Sequence, residues 1–389
     1  MSTTMRKGCI FIYIMLSATT SANNKYTSCY NHNKDVEPPC ETTTNLFDNV
    51  NKLATPTPET YVLRAEYYFK QKKYPEAVDD AISAINIDET ILRAHYIIYD
   101  VADSAYNMTY KKLETQAQKH PNIGVWEYDL GVVCFEHKDY LPAATHFKKA
   151  YSIEAKDVVF SNITDCYYMA GEYDKALEYN EKAIKADSTN IDLYKTKVEI
   201  LDEMGRTEDA IYIVTLCIKM EPENSYNYYK RGWLKQYTGD IDGAIEDYSS
   251  AIKLDPRDAT NYLYRGCMYR MKGDQDKARL DFLEVVRLDS IPEQTECADF
   301  AYFYLGEKKK AIKLMNLILE KEKDYYDAAC LYSLMGEEEK ALTYLRKSLE
   351  NGYKSFNHIR RDHDLDNIRN TPEFKIMVSE FEKSNKRTE

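Results

Sequence analysis

No two cysteines in this chain stand in a CxxC spacing, although there are nine of them. A zinc site built on paired thiolates is therefore excluded. His358 and His363 are five apart, about 140° around a helix, so they do not share a face for a metal. The sequence has no glycine-rich phosphate loop and no pair of histidines in metalloprotease spacing. Ser, His and Asp residues occur, but no motif gathers them into a catalytic group. Positive charge is also short, with 52 Lys and Arg against 64 Asp and Glu, a net −12. That balance argues against non-specific nucleic-acid binding and against an anionic membrane surface. Tryptophan is nearly absent, at two residues, whereas tyrosine reaches 35. Most of these rings are expected to pack between helices with the hydroxyl at the edge.

What the sequence does have is internal repetition. The stretch Ser225–Asp258 and the stretch Ala259–Asp289 are copies of one unit, with a period of about 34 residues. Gly232 falls on Gly266, Gly239 on Gly273, Ala244 on Ala278, and Tyr248 on Phe282. Each copy holds two segments of helical periodicity, broken at Gly239 or Gly273, where a left-handed residue closes the first helix. Asp240 and Asp274 follow at an N-cap position, and Pro256 stops the second helix of the first copy. Small residues at Gly232 and Ala244 let the two helices approach closely. The unit is a helical hairpin that needs neighbours to bury its apolar face.

This pattern resembles the tetratricopeptide repeat. Its characteristic alanine recurs at Ala77, Ala143, Ala176, Ala210, Ala244, Ala278, Ala311 and Ala341. The wide gap before Ala143 leaves room for one degenerate unit, around Leu92 to Pro121. The resemblance implies an all-α fold, a right-handed α-solenoid of about nine helix-turn-helix repeats over residues 60–350. Residues 351–389, with Gly352-Tyr353, Asp364-Leu365-Asp366 and Pro372-Glu373-Phe374, resemble the terminal cap of bacterial arrays of this family and are expected to close the solenoid. Asp362, Asp364, Asp366 and Glu373 also follow the order of a calcium loop, but Arg369 and Pro372 spoil it. These acids read better as turn and capping residues. No metal and no cofactor is expected.

The N-terminal residues carry Arg6-Lys7, the apolar run Cys9–Leu16 and a small-residue stretch Thr20-Ser21-Ala22. This is the layout of a signal peptide over residues 1–22, too short to remain as a membrane span. It places the mature chain in the periplasm or at the cell surface, the alternative being a cytoplasmic protein with a short apolar N-terminal helix. Residues 23–43 are polar and read as a disordered linker. Leu46, Phe47, Val50 and Leu53 give residues 44–59 the stripe of a capping helix. Cys29 and Cys40 could bridge in an oxidising compartment, and the other cysteines read as small buried thiols.

In arrays of this family the first helices line the concave groove. Its inner positions here include Tyr226, Tyr229, Trp233 and Tyr237, one aromatic stripe at helical spacing, with Tyr264 beside it. The preceding unit offers Asp192, Lys195, Glu199, Asp202 and Glu203. Such a face is expected to bind a protein or peptide partner, making the chain a non-enzymatic scaffold. Rings packing on the neighbouring helix would explain the same stripe. A glycan- or nutrient-binding accessory protein is the alternative from another class, and an accessory hydrolase with an unrecognised site a third. The chaperone-type clamp for a C-terminal carboxylate is set aside, because Glu199 stands where that clamp needs Asn.

One further pattern runs between the helices. Arg64, Arg231 and Arg265 share one position of the unit, and the same three units carry Asp80, Asp247 and Asp281 on the second helix. Units with Leu130, Ile163 or Lys197 instead carry His146, Tyr179 and Ile213. The co-occurrence predicts an Arg–carboxylate contact inside each of the three hairpins.

Overall fold

The structure is a computed structural model that describes residues 56–288 and 297–387. The leader, the linker and all but the last residues of the expected capping helix lie outside the described residues. What is described is all-α, a solenoid of paired helices, and it divides into two compact units between Ala183 and Ile184.

In the N-terminal unit, α1 (Pro58–Lys70) turns back as α2 (Tyr74–Ile87), and α4 (Gly124–Glu136) as α5 (Tyr140–Ile153). Next come α6 (Val159–Met169) and α7 (Tyr173–Ala186). The degenerate unit is α3 (Leu92–Lys119), broken at Ala105, where the backbone leaves the helical region at φ −144° and ψ 48°. It keeps two helical segments without a glycine turn.

In the C-terminal unit the hairpins are α8 (Ile191–Glu203) with α9 (Thr207–Met220), and α10 (Ser225–Thr238) with α11 (Ile241–Leu254). They continue as α12 (Ala259–Lys272) with α13 (Gln275–Leu288), α14 (Ala298–Tyr304) with α15 (Lys308–Glu322), and α16 (Tyr325–Leu334) with α17 (Glu338–Glu350). The chain ends in α18 (Phe356–Arg361), a 3-10 turn His363–Leu365, α19 (Asp366–Arg369) and α20 (Pro372–Arg387).

The repeat's signature residues act where helices touch. All eight recurring alanines are at most 1% exposed, so a larger side chain there would push the two helices of a hairpin apart. Gly266 shows the same constraint, since a Cβ on it would lie 2.7 Å from Phe282 Cε1. Gly239 takes φ +79° after α10. Its N–H donates to the Gln236 carbonyl, and the next N–H, of Asp240, to the Lys235 carbonyl, satisfying carbonyls that the helix end leaves open. Asp240 then caps α11, its carboxylate accepting from the Gly243 N–H at 3.0 Å.

Phe374, Met377 and Val378 of α20 are buried in one apolar cluster with Leu345 and Leu349 of α17. That cluster closes the last hairpin, the role expected of the terminal segment. The start of the same segment does something else.

Candidate functional site

Tyr226, Tyr229, Trp233 and Tyr237 lie along α10, and all four are half-buried. Their rings pack on one another and on the next hairpin. Tyr226 and Tyr229 are 5.9 Å apart, Trp233 and Tyr237 5.3 Å. Tyr264 of α12 lies 5.8 Å from Tyr229 and 5.2 Å from Trp233. One side of the row is held by Tyr264, and the C-terminal end of it is covered by the chain's own segment 355–363.

After Tyr353 the chain turns back onto the inner positions of α8 and α10. Ser355 Oγ donates to Glu203 Oε1 at 2.6 Å, and Asn357 Nδ2 to the Asp202 carbonyl at 2.7 Å. The His358 ring sits 5.3 Å from Trp233, and His363 stacks near Tyr237 at 6.3 Å. Arg361 reaches furthest in. Its guanidinium lies over the Tyr237 ring at 4.3 Å, donates from Nη2 to Asp202 Oδ1, and approaches Thr207 Oγ1 from Nη1 at 3.4 Å. Cation–π contact and a charge-assisted hydrogen bond thus act on one group.

The charges explain why a basic segment seats here. Glu199, Asp202 and Glu203 lie beside the segment, next to the buried Lys230. Lys230 Nζ lies 2.9 Å from Glu199 Oε2 and 3.3 Å from Asp202 Oδ2. Burial would lower its pKa, but the two carboxylates outweigh that and raise it. Burial pushes the Glu203 carboxyl up, opposed by the Ser355 hydroxyl and by Arg361. Burial and then Glu199 push Tyr226 up to about 12. Without Arg361 the face holds four acids, Asp192, Glu199, Asp202 and Glu203, against two bases, Lys195 and Lys230, a net deficit of positive charge.

The fit of the segment is incomplete. His358 Nδ1 meets the Tyr353 hydroxyl at 2.7 Å, but the buried Nε2 has no hydrogen-bond partner and faces Asp362 Oδ2 only at 3.6 Å. Burial lowers the His358 pKa, with Asp362 opposing. Arg361 Nε is likewise buried without a hydrogen-bond partner. Each such group carries a desolvation cost that a docked segment must overcome. The acids that follow are engaged locally. Asp362 accepts from Tyr326 OH at 2.8 Å and from the Asp364 N–H at 3.0 Å, and Asp366 pairs with Arg369 at 2.6 Å. These are the turn and capping contacts that the calcium order could be mistaken for.

Sequence models described as tetratricopeptide repeat match residues 229–290 and 325–351. Those two stretches are tetratricopeptide repeats. The chain is 30% identical over 124 residues to a TPR repeat-containing protein of Methanocaldococcus jannaschii, covering 30% of this chain and 22% of that one. It is 30% identical over 115 residues to Hsp70-Hsp90 organizing protein 2 of Arabidopsis thaliana, covering 29% of this chain and 20% of that one. The tetratricopeptide stretch thus spans about a fifth of these relatives. A solved tetratricopeptide repeat protein from Parabacteroides merdae is similar at 17% identity and a TM-score of 0.47, covering 71% of this chain and 98% of that one.

Within the tetratricopeptide hairpins, the three Arg and Asp pairs face each other across their two helices. Arg64 Nε and Nη2 meet Asp80 Oδ2 and Oδ1, both at 2.6 Å. Arg231 meets Asp247 at 2.9 and 2.6 Å, and Arg265 meets Asp281 at 2.9 and 2.8 Å. All three are bidentate, with the carboxylate side chain at most 9% exposed. The hairpin of α4 and α5 reverses the polarity. There Glu127 on the first helix takes His146 at 2.8 Å and also Lys149, both from the second.

Sequence reading found the inner-face acids and the aromatic row but missed Ser355, His358, Arg361 and Lys230. The available signal was the basic pair Arg360-Arg361 in an acidic chain that offers Asp202-Glu203 on its inner face.

Proposed function

We propose that this protein is a non-enzymatic scaffold that holds a segment of a partner protein on the inner face of residues 184–389. The observation that carries the reading is the seating of Ser355–Arg361 on Asp202, Glu203, Trp233 and Tyr237. A face that orders a short helix of its own chain has the aromatic anchors and charged rim that hot spots use. The glycan alternative draws no support from this arrangement, because the rings are turned to one another and to the segment. The layout of residues 1–22 supports export to the periplasm or cell surface, with a mature start near Asn23.

Two measurements test this. Co-purification with tagged full-length chain should recover a partner that Trp233→Ala releases, while the thermal unfolding midpoint moves only a few degrees. Equal recovery by the variant would remove the inner face from the function. Intact-mass analysis of native protein should give a chain starting near Asn23. A cytoplasmic product that retains Met1 would refute export.

A further inference from the structure

The chemistry of the seated segment identifies what the face selects. We propose that the inner face of α8 and α10 is a receptor for an arginine-bearing helical turn, and that Ser355–Arg361 is a resident copy of that ligand which a partner of the same chemistry displaces. This rests on the reading of the face as a binding surface and adds the class of ligand.

Three observations point to arginine. First, Asp202 already receives Lys230 from α10, and its other oxygen, Oδ1, is taken by Arg361. With Glu199 and Glu203 beside it, the empty face would keep an excess of negative charge. Second, the cation must also lie flat on Tyr237, which Arg361 does at 4.3 Å. A planar guanidinium can stack and donate in its plane at once, whereas a lysine ammonium is a point charge. Third, the Asp202 carbonyl and the Glu203 carboxylate accept from Asn357 and Ser355, four and six residues before Arg361 and so one to nearly two helical turns away. These acceptors set the ligand at a short helix of fewer than two turns with a polar N-terminal end.

Displacement follows from the imperfect fit. The resident turn buries His358 Nε2 and Arg361 Nε without hydrogen bonds. A ligand that keeps the arginine and satisfies these two atoms, or replaces the histidine by an apolar ring on Trp233, binds the same face better. The resident copy has the advantage of tethering, equivalent to roughly millimolar local concentration. An external segment must therefore beat it in intrinsic affinity.

The test uses full-length protein and a fluorescein-labelled synthetic peptide of residues 353–365, read by anisotropy. Wild type should bind this peptide weakly. Arg361→Ala in the protein loosens the resident turn and should tighten peptide binding at least tenfold. Adding Asp202→Asn to that variant should remove the gain, and a peptide carrying Arg361→Ala should bind at least tenfold more weakly. Should Arg361→Ala fold poorly by circular dichroism, Ser355→Ala with Asn357→Ala loosens the turn from its other end and should give the same gain. Folded, loosened variants that bind the peptide no better than wild type would overturn the proposal and make the turn a fixed cap. If a partner is still recovered through Trp233 in that case, the binding-face reading stands and only the arginine chemistry fails. Equal partner recovery by wild type and Trp233→Ala, together with the expected peptide binding, would fail the first reading alone.

Discussion

The two units meet the same demands with different residues. In residues 184–389 the hairpin turns are closed by glycines, Gly205, Gly239, Gly273, Gly306 and Gly336, all at positive φ. Among the described residues of the N-terminal unit only Gly171 does this, and Lys72 and Lys138 adopt φ 57° and 71° in its place. The acids of the first helices differ too. Asp202 of α8 has Lys230 and Arg361. Asp165 of α6 is pushed up to about 7 by burial. The geometry of the repeat is thus less demanding than its signature residues. A hairpin forms wherever one residue accepts the left-handed turn and a small residue lets the helices meet, and both conditions hold in each unit. This is why the family models fall at 229–290 and 325–351, inside the C-terminal unit, while hairpins occur in both.

The comparison is broken most strongly at the ion pairs. Asp247→Ala takes the carboxylate from Arg231 and also from Lys235, which lies 2.9 Å from it, and leaves them the hydrogen-bond acceptors Thr215 Oγ1 and the Gly243 carbonyl, each at 3.3 Å. Removing one member of a buried pair costs about 3–5 kcal/mol; because Arg231 is 20% exposed, about 2–3 is expected here. In the hairpin of reversed polarity, His146→Ala leaves Glu127 its contact with Lys149, and a loss of about 1 kcal/mol is expected. Urea unfolding of both variants measures the difference. Equal losses would mean that the Arg–Asp pairs contribute no more than an ordinary polar contact.

These pairs were legible in the sequence because the repeat supplies internal controls, with Arg and Asp present together in three units and absent together in three. The helix-turn-helix unit was legible because close approach forces alanine and glycine at fixed spacing. The covering of the inner face was not. Its contacts join Asp202 and Glu203 to residues more than 150 positions later, and no local periodicity reports a contact of that range. Lys72 and Lys138 were hidden for the opposite reason. Their turns are local, but the residue that marks such a turn in sequence is absent.

A second test concerns the buried polar contact of the N-terminal unit. His95 Nδ1 lies 2.9 Å from both oxygens of Asp129, which also accepts from Tyr99 OH at 2.6 Å. Burial disfavours charge on His95, but the Asp129 carboxylate outweighs it and the pKa is raised above 6.5. A raised histidine pKa contributes stability that is complete below about 6.5, its unfolded value, and is lost as pH rises through the folded value. The advantage of wild type over His95→Gln in urea unfolding should therefore shrink by about 1–2 kcal/mol between pH 5.5 and pH 9. An advantage that instead grows from pH 5.5 to pH 9 would show that His95 is buried neutral. No such dependence is expected of Arg231 or Arg265, which stay charged throughout.

The smallest effect sharpens the comparison most directly. After α4 the Lys138 N–H donates to the Phe135 carbonyl at 2.9 Å, and the Asp139 N–H to the Cys134 carbonyl at 2.8 Å. After α6 the same two bonds run from Gly171 to Tyr168 at 3.0 Å and from Glu172 to Tyr167 at 2.9 Å. The two turns are alike in hydrogen bonding and differ in the Cβ that Lys138 carries at φ 71°. A non-glycine residue in the left-handed region costs about 1–2 kcal/mol through the contact of Cβ with the following carbonyl. Glycine removes that contact but loses more backbone entropy on folding, which returns part of the gain. Lys138 is exposed, so its side chain has no packing to forfeit. Lys138→Gly should stabilise the chain by about 0.5–1 kcal/mol, and Gly171→Lys should destabilise it by a similar amount. Opposite shifts of the urea midpoint would show that both turns obey one backbone rule. Destabilisation by both changes would mean that Lys138 holds its turn through a contact glycine cannot make.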